Sequence, residues 1–145
     1  MTFAKTPAVI LLVDDNKMGL AARKHVLEEL GYQTITASSA QTAVDLFETN
    51  QFDLVITDYK MPDLSGIQLI QKLRTVRAEV PVILISGFVD VLGLDEQTTG
   101  ADVVMMKSAN EVNHLVRSVT RLLNRKLKKP VASVTARPRS RKKSG

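Results

Sequence analysis

The chain has 145 residues, of which 44% are hydrophobic and 24% are charged, and these proportions are typical of a single globular domain. It contains no cysteine, which excludes disulfides, thiolate metal sites and thiol chemistry. The longest apolar run, residues 8–13, is far shorter than the roughly 18 residues that a membrane span needs, so we expect a cytoplasmic protein without one.

The net charge of +5 is unevenly distributed along the chain. Residues 1–111 contain nine Lys and Arg against fifteen Asp and Glu, whereas residues 112–145 contain eleven Lys and Arg and no acid. Residues 130–145 include two prolines and little that could be buried. We therefore expect a folded domain over residues 7–129 and a disordered basic tail over residues 130–145. Such a tail could contact nucleic acid through counterion release, although no aromatics are present there to stack on bases.

Short apolar runs alternate with helical patterns. Four runs are rich in Val and Ile without polar alternation, which is typical of strands buried on both faces, whereas residues 33–37 alternate and predict an edge strand. Gly93 weakens the fourth helical pattern, because glycine costs about 1 kcal/mol in a helix interior. In chain order, the predicted elements are strand 9–13, helix 17–30, strand 33–37, helix 40–49, strand 54–57, helix 65–76, strand 80–85, helix 89–98, strand 103–106 and helix 110–128.

This alternation predicts an α/β fold of the (βα)5 type, a doubly wound five-stranded parallel sheet. Right-handed crossovers between successive strands place helices on both faces of such a sheet. Ligands then bind at the carboxyl ends of the strands, near the point where the strand order reverses.

Polar side chains follow four of the predicted strands: Asp14 and Asp15 after the first, then Asp58, Ser86 and Lys107. Each alone is readily explained as a turn former, helix cap or surface residue. Together they predict one pocket, because the carboxyl ends of parallel strands meet at one edge of the sheet.

Three clustered carboxylates repel one another, by about 4 kcal/mol for a pair about 4 Å apart at an effective dielectric of 20. A hard divalent cation relieves this repulsion, so we expect Mg²⁺, with Mn²⁺ as an alternative. With Lys107, the formal charges of three carboxylates and one divalent ion cancel. No His or Cys stands at these positions, which argues against zinc. Such a pocket suits phosphoryl transfer to a carboxylate.

Over about residues 7–128 the sequence resembles the receiver domains of two-component response regulators. The resemblance rests on these segments: Val13-Asp14-Asp15-Asn16, Asp58-Tyr59-Lys60-Met61-Pro62-Asp63-Leu64-Ser65-Gly66, Ser86-Gly87, Gly100-Ala101-Asp102 and Lys107. It implies the flavodoxin-like strand order 2-1-3-4-5. It also implies a signalling module that is phosphorylated by a sensor histidine kinase or phosphotransfer protein and that catalyses only its own phosphorylation and dephosphorylation.

The resemblance also implies roles for individual residues. Asp58 resembles the phosphoacceptor, and Asp15, Asp58 and the Lys60 backbone carbonyl resemble the Mg²⁺ ligands. Asp14 would act through metal-bound water, Lys107 would pair with the phosphoryl group, and Ser86 would donate a hydrogen bond to it.

Two positions depart from the family pattern. Val104 stands where an aromatic residue is common, and Ser108 stands where a proline with a cis bond is common. These changes leave the chemistry in place and affect the usual output switch. We expect output through contact with a downstream protein, with homodimerisation through the face of the fourth helix, fifth strand and fifth helix as an option.

Other functions remain as alternatives. A degenerate receiver would bind partners without phosphorylation, and a receiver with a basic C-terminus could contact nucleic acid. A Mg²⁺-dependent phosphohydrolase would want an acid two residues after Asp58, where Lys60 stands. A nucleotide-binding protein would need a Gly-rich phosphate loop, and neither GxxxxGK nor GxGxxG is present.

Overall fold

The computed structural model describes residues 7–87, 92–108 and 110–128. Five parallel strands form one sheet in the order β2-β1-β3-β4-β5, as expected. In chain order, the described elements are β1 Val9–Val13, α1 Lys17–Glu29, β2 Gln33–Ala37, α2 Ala40–Thr49, β3 Leu54–Asp58, α3 Gly66–Val76, β4 Val82–Ser86, α4 Glu96–Thr99, β5 Val103–Met106 and α5 Glu111–Lys128.

The sheet separates two apolar layers, because neighbouring residues of a strand point to opposite faces. On one face, Leu11 and Val55 belong to the core that includes Phe47 of α2 and Leu69 and Leu73 of α3. On the other face, the core comprises strand residues and residues of α1 and α5, including Ile10, Leu27, Leu115 and Val119. The arrangement confirms the doubly wound fold, with helices on both faces of the sheet.

The edge position of β2 is also confirmed. Four of the five residues of this strand are exposed or partly exposed, all but Ala37, whereas every residue of β3 and β4 is buried. The alternating sequence of β2 therefore reflects a strand with only one hydrogen-bonded neighbour, β1.

Strands β3 and β4 end one residue later than predicted. Asp58 is the last residue of β3 and Ser86 is the last of β4. The start of β4 also shifts from the predicted residue 80 to Val82, since Pro81 has no N–H to donate to a ladder. As a result, Asp58 and Ser86 are held by the sheet itself and not by the loops that follow.

The predicted helix over residues 89–98 is confirmed only in part: Leu92 and residues 96–98 are helical, residues 93–95 are not, and residues 88–91 lie outside the described residues. Gly93 has a φ of +65°, a left-handed conformation that interrupts a helix. A separate short helix, α4, then begins after Asp95, whose side chain accepts a hydrogen bond from the Thr98 backbone. Gly93 therefore separates helical Leu92 from α4.

The predicted basic tail, residues 130–145, lies outside the described residues, so its disorder and the boundary at residue 129 stay predictions. Among the described helices, none combines the length and the hydropathy that a bilayer span requires.

The first residue of α3, Gly66, lies against the backbone that carries Asp58. A Cβ at this position would lie 2.5 Å from the Asp58 carbonyl oxygen and 2.6 Å from Leu84 Cδ1. The Gly66 N–H donates to the Tyr59 carbonyl over 2.7 Å. The absence of a side chain at Gly66 thus lets α3 start directly behind the end of β3.

We predict that Gly66→Ala lowers the free energy of unfolding by about 2–3 kcal/mol, because the added methyl meets backbone that cannot move away. Urea denaturation measures this change. Gly87→Ala is the matched control, since a Cβ there meets no atom of the described residues within 4 Å and the φ of Gly87 is not positive. Equal stability of the two variants would contradict the close packing at Gly66.

Candidate functional site

A cavity of about 570 Å³ opens at the carboxyl ends of the strands. Five of the six predicted site residues line it, and Asp14 lies behind that lining. The lining residues are Asp15, Asn16, Asp58, Lys60, Met61, Pro62, Ser86, Gly87 and Lys107.

The three predicted carboxylates do converge. One oxygen from each of Asp14, Asp15 and Asp58 lies within 4.8 Å of the other two. Asp14 and Asp58 are buried, at 1% and 5% exposure, while Asp15 is exposed. Carboxylate oxygens at this spacing suit a hard divalent cation such as Mg²⁺, so the donor set fits the metal that the sequence predicts.

Lys107 forms an ion pair with Asp58, with 3.1 Å between Lys107 Nζ and Asp58 Oδ1. The Lys107 backbone N–H donates to the Ser86 carbonyl over 3.0 Å, which fixes the start of this side chain beside β4. Burial raises the pKa of Asp58, the hydrogen bond from Lys107 opposes this effect, and the charge of Asp14 adds to it, so that the net pKa is raised.

Asp14 has a counter-ion that the sequence analysis missed. Arg23 Nη1 lies 2.7 Å from Asp14 Oδ2, and Arg23 Nε lies 2.9 Å from Glu111 Oε2. The other Asp14 oxygen accepts the Asn16 backbone N–H over 2.9 Å. Burial works against the charge of Arg23, but the hydrogen bonds to Glu111 and Asp14 outweigh it and raise the pKa of Arg23.

The signal for Arg23 was present in the sequence. Leu20, Arg23 and Leu27 are spaced i, i+3 and i+7, so Arg23 lies on the buried face of α1. An arginine on an apolar stripe needs a buried partner. The predicted charge balance of the pocket, which counted Lys107 as the single protein cation, therefore requires correction.

Asp63 is a second residue whose role was missed. Its carboxylate accepts the backbone N–H groups of Ala40 and Gln41 over 3.2 and 2.9 Å at the start of α2. Slight burial acts to raise the pKa of Asp63, but these backbone hydrogen bonds prevail and lower it. The loop after Asp58 is thereby tied to a neighbouring helix.

The two departures from the family pattern have clear local structures. The described residues contain no cis peptide bond, so Ser108 follows Lys107 through a trans bond, and Lys107 still reaches Asp58. Val104 is partly buried against the α2/α3 core, and its N–H donates to Glu96 Oε2 over 3.1 Å. The trans bond therefore leaves the ion pair of the pocket intact.

A family model described as the response regulator receiver domain matches residues 10–120, and the chain belongs to this family. It is thus a receiver domain of two-component signalling, a phosphorylation-type regulatory module, and domains of this class interact with histidine kinases.

Individual relatives agree with this assignment. The chain is 36% identical over 118 residues to the alkaline phosphatase synthesis transcriptional regulatory protein PhoP of Bacillus subtilis, covering 77% of this chain and 48% of PhoP. It therefore spans about half the length of that relative.

Solved structures give the same result. A CheY-like receiver domain protein from Methanospirillum hungatei superposes with a TM-score of 0.79 at 28% identity, covering 86% of this chain and 100% of that one. The response regulator TrrA of Thermotoga maritima, described as a complex with Mg²⁺-BeF, has a TM-score of 0.73 at 30% identity, covering 79% and 98%.

We predict that Asp58→Asn raises the free energy of unfolding at pH 7 and low Mg²⁺ by about 1 kcal/mol, because it removes a charge that is disfavoured by burial and by Asp14, and the lost ion pair with Lys107 offsets this gain only in part. A raised pKa means that folded Asp58 binds its proton more readily than unfolded Asp58 does. Lowering the pH therefore favours the unmodified domain, and the advantage of the variant shrinks as the pH falls through the pKa of folded Asp58.

Urea denaturation between pH 7 and pH 4 measures the difference. Glu48→Gln, which removes one exposed charge from α2, is the control and should show no such advantage. A variant that is less stable than the unmodified chain at pH 7 would contradict the electrostatic account.

Proposed function

We propose that Asp58 accepts a phosphoryl group from a phosphohistidine of a sensor kinase or phosphotransfer protein, with Mg²⁺ held by Asp15, Asp58 and the Lys60 backbone carbonyl. The observation that carries this proposal is the buried Asp58 carboxylate, paired with Lys107 at 3.1 Å and within 4.8 Å of two further carboxylates.

In the transfer, a carboxylate oxygen of Asp58 forms a bond to phosphorus while the phosphorus–nitrogen bond of the donor breaks. The electron pair of that bond returns to the imidazole, and Asp58 becomes an acyl phosphate. Mg²⁺, when bound, neutralises the transferred oxygens and orients them. No oxidant, reductant or external base is consumed.

The residues of the chain divide the remaining work. Lys107 neutralises the Asp58 carboxylate before transfer and its ammonium then pairs with a phosphoryl oxygen. The Ser86 hydroxyl lies at the end of the neighbouring strand and donates a hydrogen bond to a second phosphoryl oxygen. Asp14 does not line the cavity and would act on a bound metal through water.

The neighbouring Lys60 supports a regulator over a phosphohydrolase. It is exposed and lines the cavity two residues after Asp58, at the position where a hydrolase would need a carboxyl group to activate water. The reaction that the pocket supports is therefore reversible modification of the chain itself.

We also propose that output is a contact with another protein on the surface formed by α4, β5 and α5. Met106 of β5 and Val112 of α5 are exposed apolar residues, with 39% and 50% of their surface accessible, and Leu92, which precedes α4, is 48% exposed. This surface could serve a downstream protein or a second copy of the chain. Contact of nucleic acid with residues 130–145 stays a prediction, since those residues lie outside the described part of the chain.

We predict that incubation with Mg²⁺ and acetyl phosphate adds the mass of one phosphoryl group to the intact chain, and that chelation of Mg²⁺ prevents it. Asp58→Asn should abolish the gain, and Lys107→Ala should slow it about tenfold or more. Asp45→Asn, an exposed carboxylate on α2, is the control and should behave as the unmodified chain. Intact mass spectrometry over time gives the measurement.

The outcomes separate the alternatives. No mass gain in the unmodified chain would contradict phosphorylation by this route and favour a degenerate receiver. A gain that persists in Asp58→Asn would place the acceptor on another residue.

A further inference from the structure

Arg23 joins two parts of the molecule that are distant in sequence. One edge of its guanidinium contacts Asp14 behind the acidic pocket, at 2.7 Å, and its Nε contacts Glu111 in the first turn of α5, at 2.9 Å. Asp14 directly follows β1, whereas Glu111 is the first residue of α5. The receiver chemistry proposed above uses neither Arg23 nor Glu111.

The bridge is buried and geometrically specified. The Arg23 side chain is 9% exposed, that of Asp14 1% and that of Glu111 17%. Gly19 provides the space, because a Cβ there would lie 3.0 Å from Asp14 Oδ2 and 3.7 Å from Arg23 Nη1. A fixed planar guanidinium can bind two carboxylates at once through different N–H groups, which a lysine ammonium does less well.

The bridge changes the electrostatics of the pocket. With Arg23, the two cations next to three carboxylates leave one formal negative charge before a metal binds. After phosphorylation, the formal charges of Asp14, Asp15, the phosphoryl group, Mg²⁺, Lys107 and Arg23 balance. Glu111 withdraws part of the Arg23 charge from Asp14, because the guanidinium is shared between the two acids.

We propose that Arg23 is a positioning residue that couples metal occupancy of the acidic pocket to the first turn of α5, through the Asp14–Arg23–Glu111 bridge. The inference rests on the proposed Mg²⁺ site. A divalent charge beside Asp14 repels Arg23 and weakens its hold on that carboxylate, which shifts the guanidinium toward Glu111. The surface formed by α4, β5 and α5 thereby receives a signal from the pocket by a route that does not involve Val104.

Titration with Mg²⁺, followed by ¹H–¹⁵N NMR at the amides of Asp15 and Asp58, tests the bridge. Arg23→Met should bind Mg²⁺ about fivefold more tightly, because the pocket loses a positive charge, and Glu111→Gln should bind it about twofold more weakly, because Arg23 then acts on Asp14 alone. Lys24→Met and Glu28→Gln are the matched controls, since they remove one positive and one negative charge from an exposed ion pair on α1, the helix that carries Arg23. Both variants should have the Mg²⁺ affinity of the unmodified chain.

The double variant distinguishes a bridge from general electrostatics. If Glu111 acts through Arg23, then Glu111→Gln has no effect on Mg²⁺ affinity in the Arg23→Met background, whereas independent charges would give additive effects. Additive effects would overturn the inference.

In the unmodified chain, Mg²⁺ should also shift the NMR signals of the Arg23 Nε–H and of the amides of residues 111–114. The amide shifts should vanish in Arg23→Met.

Arg23→Lys covers the case in which Arg23→Met does not fold. It retains the charge but cannot span both acids, so Mg²⁺ affinity should stay within about twofold of the unmodified chain while the amide shifts of residues 111–114 disappear. Shifts that persist in this variant would overturn the inference.

Two outcomes separate the bridge from the metal site. If the unmodified chain binds Mg²⁺ and no variant changes that affinity, the bridge alone is refuted. If the unmodified chain does not bind Mg²⁺, the proposed metal site is refuted and with it the inference.

Discussion

The repulsion among three carboxylates at one edge of the sheet is the constraint on which the rest of this structure depends. A parallel sheet brings the ends of β1 and β3 together, and with them Asp14, Asp15 and Asp58. Such a cluster destabilises the fold unless cations offset it. Arg23 pairs with Asp14 and Lys107 pairs with Asp58, so each buried acid of the cluster has its own cation.

The two protein cations differ in how firmly they are held. Lys107 is 39% exposed, so its ammonium is free to follow a charge that moves from the carboxylate to a phosphoryl oxygen. Arg23 is buried between Asp14 and Glu111. If it moved away, both carboxylates would lose their counter-ion in an environment that water solvates poorly. In the proposed function the first cation takes part in the chemistry, whereas in the proposed bridge the second sets the charge of the pocket and links it to α5.

Backbone packing holds Asp58 in place. Asp58 ends a fully buried strand, and Gly66 allows α3 to begin against the Asp58 carbonyl. Asp63 ties the intervening loop to the start of α2. The spacing between Asp58 and Gly66 therefore has a steric cause, since a side chain at Gly66 would separate the helix from the strand that carries Asp58.

The sequence alone determined the α/β alternation, the edge position of β2 and the set of acids at the strand ends, because these follow from hydrophobic periodicity and from the geometry of parallel sheets. It also contained the family motifs, from which the strand order followed. It did not determine the break at Gly93 or the partners of Arg23. A glycine in a helical pattern is compatible with either continuation or interruption, and which one occurs depends on packing. A buried arginine shows only that a partner exists, and Glu111, 88 residues away along the chain, becomes that partner only once α1 and α5 pack on the same face of the sheet.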